Sequence, residues 1–433
     1  MKQTKVFTLV RLWLIIGALL WPLAVRAQTA GPRALLMSLE GPLTPAMLTY
    51  LERVVTQAEN SNSPLIVLRL NTPGGSIDLM EKIVSVIRNS AVPVVVYVAP
   101  RGAVAGSAGT LITLAGHVAA MAPETAIGAA SPVGGEGEDL DETLEAKIKQ
   151  ATMALARTLV ERRGPEAVKL AEETIDKARA VTANEAQAAG LIDIIASDLP
   201  DLVSQLDERA VVVNGVSRTL LTSGLLVDEA PMTFIEQVLD LLTDPNIVFL
   251  LLSLGNLLII IELRTPGGWV TGLVGVACLL LAFYGIGTLP VNWFGLIFIV
   301  LAFGLFVAEI ATPTTFGALT LAGAVALIIG ALVLFNSAAP EFYQVSVPLV
   351  VITSVLIAAL SLVVLVFALR SLRRPVITGT QMLIGQTGEM RTGDSAQVGS
   401  ELWTVEPESG SLTVGDKVEV LEVKGLRLRV RKR

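Results

Sequence analysis

The sequence predicts three modules in series: an α/β domain on a parallel sheet, a multi-pass α-helical membrane domain, and a small all-β barrel. Three observations carry this. Between residues 28 and 206 short apolar runs alternate with amphipathic helical patterns, the βαβ signature. Between residues 247 and 369 five long apolar segments follow one another. From Leu383 onward the chain is polar and alternates with period two. The modules read as 28–230, 231–375 and 376–433, after an N-terminal segment 1–27. A mean hydropathy of +0.67 over 433 residues fits a chain with much of its apolar surface committed to a bilayer. The net charge of −7 gives no basic footprint, so nucleic acid is not an expected partner. The one cysteine, Cys278, excludes an intrachain disulfide and a cysteine-based metal site, and no cofactor is expected.

The N-terminus carries Lys2, Lys5 and Arg11, an apolar core from Leu12 to Leu23, and Ala24-Val25-Arg26-Ala27. Small residues at 25 and 27 suit signal peptidase, so a secretory signal ending at Ala27 is expected, with an uncleaved anchor helix as the alternative. On either reading the next module starts outside the cytoplasm. Ala34–Leu39, Pro64–Leu70 and Pro93–Val98 read as strands, with Met47–Ala58 and Asp78–Arg88 as helices between them. After the second strand comes Asn71-Thr72-Pro73-Gly74-Gly75-Ser76, where two glycines leave backbone N–H groups uncovered. That suits an oxyanion hole, a phosphate cradle or a plain tight turn.

The third strand leads into Arg101-Gly102-Ala103-Val104-Ala105-Gly106-Ser107-Ala108-Gly109-Thr110, and then a helix through Ala115. A lone hydroxyl among small residues at a strand-to-helix turn has two readings. Ser107 either caps the helix, or small neighbours let a substrate backbone approach it while the helix N-terminus stabilises developing charge. The one histidine, His117, lies ten residues on, about 15 Å away along a helix, which argues against a Ser-His pair. His117 is expected at the surface, and the bases left for Ser107 are a lysine or a carboxylate.

Ala129–Asp141 reads as a solvated loop, followed by a helix over Glu142–Arg163 with the apolar stripe Leu144, Ile148, Ala151, Leu155, Leu159. Lys147 falls about 80° from the stripe centre and Lys149 about 120°, so Lys147 is expected to be the more buried. Thr182–Ala186 reads as a capped short helix, Leu191–Ile195 as a strand, and Phe234–Leu242 as an amphipathic helix leading into the membrane module. Five apolar segments follow: 247–261, 269–288, 294–307, 316–335 and 347–369. Arg264 follows the first, and Arg370, Arg373 and Arg374 follow the fifth, whereas the second and fourth connections carry aromatics and no cations. The positive-inside rule then places the first module outside and the C-terminus in the cytoplasm. Glu262-Leu263-Arg264-Thr265-Pro266 recurs 47 positions later as Glu309-Ile310-Ala311-Thr312-Pro313, which predicts a duplicated helical hairpin with a snorkelling glutamate at each span end. Near the C-terminus, Val418–Val420 and Leu426–Val430 alternate around the turn Lys424-Gly425.

Three stretches together carry a family resemblance. Thr72-Pro73-Gly74-Gly75, Ala105-Gly106-Ser107-Ala108-Gly109-Thr110 and Lys147 with its helix resemble the ClpP-class domain of the NfeD family, in its long membrane-bound serine protease form. The spans with Glu262–Gly267 and Glu309–Gly317 are similar to that family's membrane region. Gly399-Ser400-Glu401-Leu402-Trp403 and Val423-Lys424-Gly425-Leu426 resemble its C-terminal OB-fold module.

The resemblance implies a ClpP/crotonase-like first module with Ser107 as nucleophile and Lys147 as general base. It also implies an oxyanion hole from the N–H groups of Gly75 and Ala108, with Gly74 and Gly75 against the substrate. Soluble ClpP proteases use a histidine where this chain has Ala130, which fits the Ser-Lys dyad of the membrane-bound relatives. The implied activity is cleavage of apolar peptide segments in a bacterial-type inner (cell) membrane. Expected partners are a peptide or membrane-protein substrate, a stomatin/SPFH-type membrane protein, the lipid bilayer, and further copies of the chain in a homo-oligomer. Two other readings stay open: a signal-peptide-peptidase-like clearance protease, and a non-catalytic scaffold partnering stomatin-like proteins. An acyl-CoA-directed crotonase has little support, because a secreted domain would not meet coenzyme A.

Overall fold

A computed structural model describes residues 33–132, 142–264, 269–312, 317–336, 344–372 and 383–433. The expected signal segment, residues 133–141 of the expected loop Ala129–Asp141, and most of the two Thr-Pro turns lie outside these residues. One compact unit contains the N-terminal domain, the helices to Ala308, and Ala318–Ala358; Glu309–Gly317 with Ala359–Arg433 forms the other.

The N-terminal domain is built on six parallel strands in the order β11-β1-β2-β3-β5-β8. These are β1 (Arg33–Glu40), β2 (Ile66–Asn71), β3 (Val94–Val98), β5 (Val118–Met121), β8 (Ile194–Ile195) and β11 (Leu226–Glu229). Alternate side chains feed two cores. Leu35, Met37, Leu39, Ile66, Leu68, Val94 and Val96 face one, and Ala34, Leu36, Val67, Val95 and Tyr97 the other. Burial on both faces is why the strands read as continuous apolar runs. Helices α1 (Pro45–Asn60), α2 (Ile77–Asn89) and α3 (Ala108–Ala115) carry the first core, and α7 (Leu199–Leu206) with the hairpin β9 (Ala210–Val213) and β10 (Val216–Thr219) the second. Thr44 and Ser76 cap α1 and α2 by accepting the Met47 and Leu79 N–H groups.

A second sheet, β4 (Val104–Gly106), β6 (Ala126–Gly128) and β7 (Ala180–Thr182), has strands of three residues each. Strands this short leave no periodic signature, so the sequence gives no sign of them. α4 (Glu142–Val160), followed by a single 3₁₀ turn, packs on α3 and on α5 (Pro165–Asp176), with the short helix α6 (Ala183–Ala188) after β7. The inner face of α4 is not the predicted one. Thr152, Ala156 and Val160 are buried, whereas Leu144 is 48% exposed. The face is turned by about one residue, or about 100°. Of the predicted stripe, Leu155 and Leu159 remain half-buried against the core at the edge of this face.

Among the described residues, four helices are long and apolar enough to cross a membrane: α9 (Pro245–Arg264), α10 (Val270–Thr288), α11 (Trp293–Ala311) and α12 (Ala318–Asn336). They follow the short helix α8 (Phe234–Leu241). α13 (Val347–Leu372) is one continuous helix, and only Val347–Val363 of it is described as an apolar stretch. α9 and α10 meet backbone to backbone: a Cβ on Gly255 would lie 2.9 Å from the Gly275 carbonyl oxygen. In the second pair, a Cβ on Gly323 would lie 3.0 Å from the Ala302 carbonyl oxygen. Ala302 is 47 positions after Gly255 and Gly323 is 48 after Gly275, so the two pairs cross at corresponding places to within one residue.

The repeated glutamates do not snorkel. The Glu262 carboxylate turns inward and accepts the Trp269 and Gly272 N–H groups at 3.1 and 3.3 Å, with the Thr271 hydroxyl beside it. Glu309 is fully buried and accepts the Gly317 N–H at 3.0 Å. Each acid caps the start of the next helix, where orphan N–H groups attract an anion.

A methyl group at Gly295 would lie 2.2 Å from the Leu334 backbone nitrogen and 2.5 Å from the Gly330 carbonyl oxygen. Gly304, on the same helix, has nothing within 4 Å. Gly295→Ala is therefore expected to cost about 1–3 kcal/mol of stability, and Gly304→Ala to be neutral or slightly stabilising. Thermal melting of the two purified variants checks this. Equal melting temperatures would mean that the helices do not cross this closely.

The C-terminal unit holds a closed five-stranded barrel, β12 (Thr387–Met390), β13 (Ser395–Val398), β14 (Glu401–Pro407), β16 (Arg427–Lys432) and β15 (Lys417–Lys424), in that order. β14 and β16 are parallel and the other pairs antiparallel, the strand order of an OB-fold. Met390, Val398, Val418, Val420, Leu428 and Val430 fill it. The C-terminal cations pair with acids: Arg427 with Glu406, Arg431 with Glu419 and Lys432 with Asp416.

Candidate active site

Ser107 stands between β4 and α3. It occupies the position of an N-cap, but its hydroxyl makes no capping hydrogen bond. Its backbone has φ +50° and ψ −120°, a conformation suited to glycine and costly for a residue with a Cβ. The bland reading of Ser107 as a helix cap therefore fails. The surroundings hold it in place. The Ser107 N–H donates to the Gly128 carbonyl at 3.0 Å, and the fully buried Thr110 hydroxyl accepts the Gly128 N–H at 3.1 Å. The same hydroxyl lies 3.0 Å from the Ala105 carbonyl oxygen. Thr110 thus ties both short strands to the turn. The sequence reading did not single it out, and its only signal is a hydroxyl one helical turn after the serine.

The glycine turn after β2 lies directly on this serine. A Cβ on Gly74, whose φ is +127°, would be 2.7 Å from the Ser107 Cβ and 3.2 Å from its Oγ. A Cβ on Gly75 would be 2.6 Å from the Leu43 Cβ. The turn is fixed from three sides. Thr72 bridges to Ala105, its hydroxyl accepts the Gly74 N–H at 3.0 Å, and the Leu43 N–H donates to the Gly74 carbonyl at 2.9 Å. Among the described residues, the Gly75 and Ala108 N–H groups have no protein acceptor. Ala108 opens α3, where the helix dipole favours negative charge.

Lys147 lies on the outer side of α4 and is exposed, contrary to its expected half-burial. The rotation of α4 instead turns Lys149 inward, where it pairs with Asp176 at 3.1 Å. Among the described residues Lys147 has no ion pair, and no hydrogen bond joins it to Ser107. Ala130 is buried and its N–H donates to the Thr174 carbonyl at 2.8 Å, so that segment is fixed against α5.

His117 is not the surface residue expected. It is half-buried, and its Nδ1 accepts the Val94 N–H at 3.0 Å. Burial, with Arg88 nearby, pushes its pKa down to about 4, so it is neutral at ordinary pH. It sits where β3 begins, at the opposite end of that strand from the Ser107 turn. A cavity of about 500 Å³ beside α7, lined by residues such as Leu199, Val203, Asp207 and Thr222, does not include Ser107.

Comparison with known proteins fits this architecture in three blocks. Residues 36–214 match the NfeD1b N-terminal domain, 246–368 the NfeD integral membrane domain, and 380–432 the NfeD-like C-terminal, partner-binding domain. Over 405 residues the chain is 34% identical to the membrane-bound protease PH1510 of Pyrococcus horikoshii, covering 90% of this chain and 91% of that one. The chain belongs to the NfeD family. This NfeD-family chain is also 28% identical over 295 residues to the membrane protein NfeD1b of Bacillus subtilis, covering 66% of this chain and 63% of that protein. Among solved structures it is similar to 1510-N, a membrane protease specific for a stomatin homolog from Pyrococcus horikoshii. That likeness has 31% identity and a TM-score of 0.43, over 50% of this chain and 100% of that one. A lysine-to-alanine variant of the 1510-N protease with a substrate peptide matches at 32% identity and a TM-score of 0.45, over 48% of this chain and 96% of that one.

Proposed function

We propose that this chain is a membrane-bound serine endopeptidase that cuts apolar peptide segments, with a stomatin-type membrane protein as substrate or partner. The observation that carries the reading is the backbone of Ser107. A serine held at positive φ, uncapped, at a helix N-terminus and beneath a glycine turn costs stability that a plain cap would not.

In this mechanism the free amine of Lys147 takes the Ser107 proton as Oγ attacks the scissile carbonyl carbon. The N–H groups of Gly75 and Ala108 bind the oxyanion that forms, and Gly74 leaves room for the substrate backbone. The Lys147 ammonium then protonates the departing amine, leaving an acyl ester on Ser107. Water, deprotonated by Lys147, attacks the ester, and Ser107 recovers its proton as the acid product leaves. A lysine serves as a base only when water is kept from it. Lys147 is exposed one helical turn after the exposed Leu144, so an apolar peptide lying along this face of α4 would cover it, and the mechanism requires that the bound peptide also bring Lys147 to Ser107. We assign the N-terminal domain to the outside of the membrane and the barrel to the cytoplasm, counting the 26-residue α13 as a fifth span beside the four above, and on the placement of Arg264, Arg370, Arg373 and Arg374.

A membrane-impermeant fluorophosphonate probe added outside intact cells tests nucleophile and sidedness together. Labelling that Ser107→Ala removes is the expected result. Labelling only after permeabilisation would overturn the orientation, and none in either case would overturn the nucleophile.

A further inference from the structure

α8 has its polarity turned inside out. Its acidic face is buried on the N-terminal domain. The Glu236 carboxylate is 5% exposed and receives two hydrogen bonds from the Arg53 guanidinium of α1, at 2.8 and 2.9 Å. Asp240 accepts the Thr44 hydroxyl at 2.8 Å. A capping box of Thr233 and Glu236 fixes the helix start. The apolar side chains point outward instead, with Phe234 79%, Ile235 70% and Leu241 53% exposed. In water, a short helix on a soluble domain would be expected to face the other way.

The position of α8 says what covers that face. Three residues separate it from α9, the first membrane helix. The Leu242 carbonyl oxygen lies so close to Gly285, at the end of α10, that a Cβ there would meet it at 2.5 Å. The ends of the spans meet at this level. Asn246, at the start of α9, accepts the Ser346 N–H just before α13, and the Asn292 N–H before α11 donates to the Leu334 carbonyl near the end of α12. Trp293 and Phe294, at the start of α11, are 60% and 71% exposed, in the place of interfacial aromatics.

We infer that α8 is an interfacial helix: Phe234, Ile235 and Leu241 enter the lipid headgroup layer, and the Arg53–Glu236 and Thr44–Asp240 contacts clamp the N-terminal domain to it. The Ser107 turn is thereby held at a set height above the bilayer. Phe234–Leu241 contains no lysine or arginine, so apolar burial drives the contact and anionic lipid is not required.

The test uses the full chain in phosphatidylcholine vesicles with Cys278→Ala, and a single nitroxide-labelled cysteine at position 235, 241 or, as the exposed polar control on β10, 217. The expected result is a ratio of oxygen to water-soluble nickel-complex collisions about threefold or more higher at 235 and 241 than at 217, unchanged at high salt. Ratios equal to the control would mean that the face lies in water, and protection from both agents that a second copy covers it. Either overturns the proposal. If a label disturbs folding at one position, the second apolar position gives the same reading.

Discussion

Ser107→Ala is expected to reduce cleavage of an apolar peptide by the full-length protein about 10³-fold or more, with the fold intact. The loss follows from removal of the attacking oxygen. Ser107→Gly should lose as much activity yet behave differently in stability. Alanine keeps the Cβ that makes φ +50° costly, whereas glycine relieves it. The glycine variant should therefore be more stable than the alanine variant by about 1–2 kcal/mol, seen as a higher melting temperature. Cleavage that survived both substitutions would sink the mechanism. Equal melting temperatures would show instead that the turn is not strained.

The second large effect separates two lysines two residues apart. Lys147→Ala is expected to lower the cleavage rate about 10²- to 10³-fold with little change in melting temperature. Lys147→Arg should not rescue it, because a guanidinium keeps its proton. Lys149→Ala should leave cleavage nearly unchanged and cost under about 1 kcal/mol, the usual worth of a half-exposed ion pair such as Lys149–Asp176. The reverse pattern would assign the base to Lys149 and remove Lys147 from the site. Single-turnover cleavage, measured beside melting curves, distinguishes the two cases.

Much of the N-terminal domain was legible because its strands are buried on both faces and its turns use residues with distinct backbone demands. Gly74 is an example: its φ of +127° and its contact with Ser107 both require the missing side chain. The serine turn itself was legible as a strand-to-helix junction of small residues. Its choice between cap and nucleophile was not, because a capping hydroxyl and an uncapped one have the same sequence. The contribution of Thr110 was also hidden, since its partners Ala105 and Gly128 are main-chain groups on two three-residue strands.

Periodicity placed α4 but not its rotation. Leu144, Ile148 and Leu155 define an apolar stripe on paper, yet Thr152, Ala156 and Val160 make the buried contact with neighbouring helices. His117 shows the same limit. Its pairing with the Val94 N–H joins two strand starts that lie 23 residues apart.

By itself, the sequence determined the order of the modules, the parallel sheet, the barrel hairpin and the duplicated span pair, because each rests on local period, hydropathy or turn chemistry. Tertiary structure alone decided the conformation of Ser107, which lysine turns outward, the inward caps made by Glu262 and Glu309, and the reversed polarity of α8. Each of those depends on what a side chain meets across the fold, and contact between residues distant in sequence leaves no periodic trace.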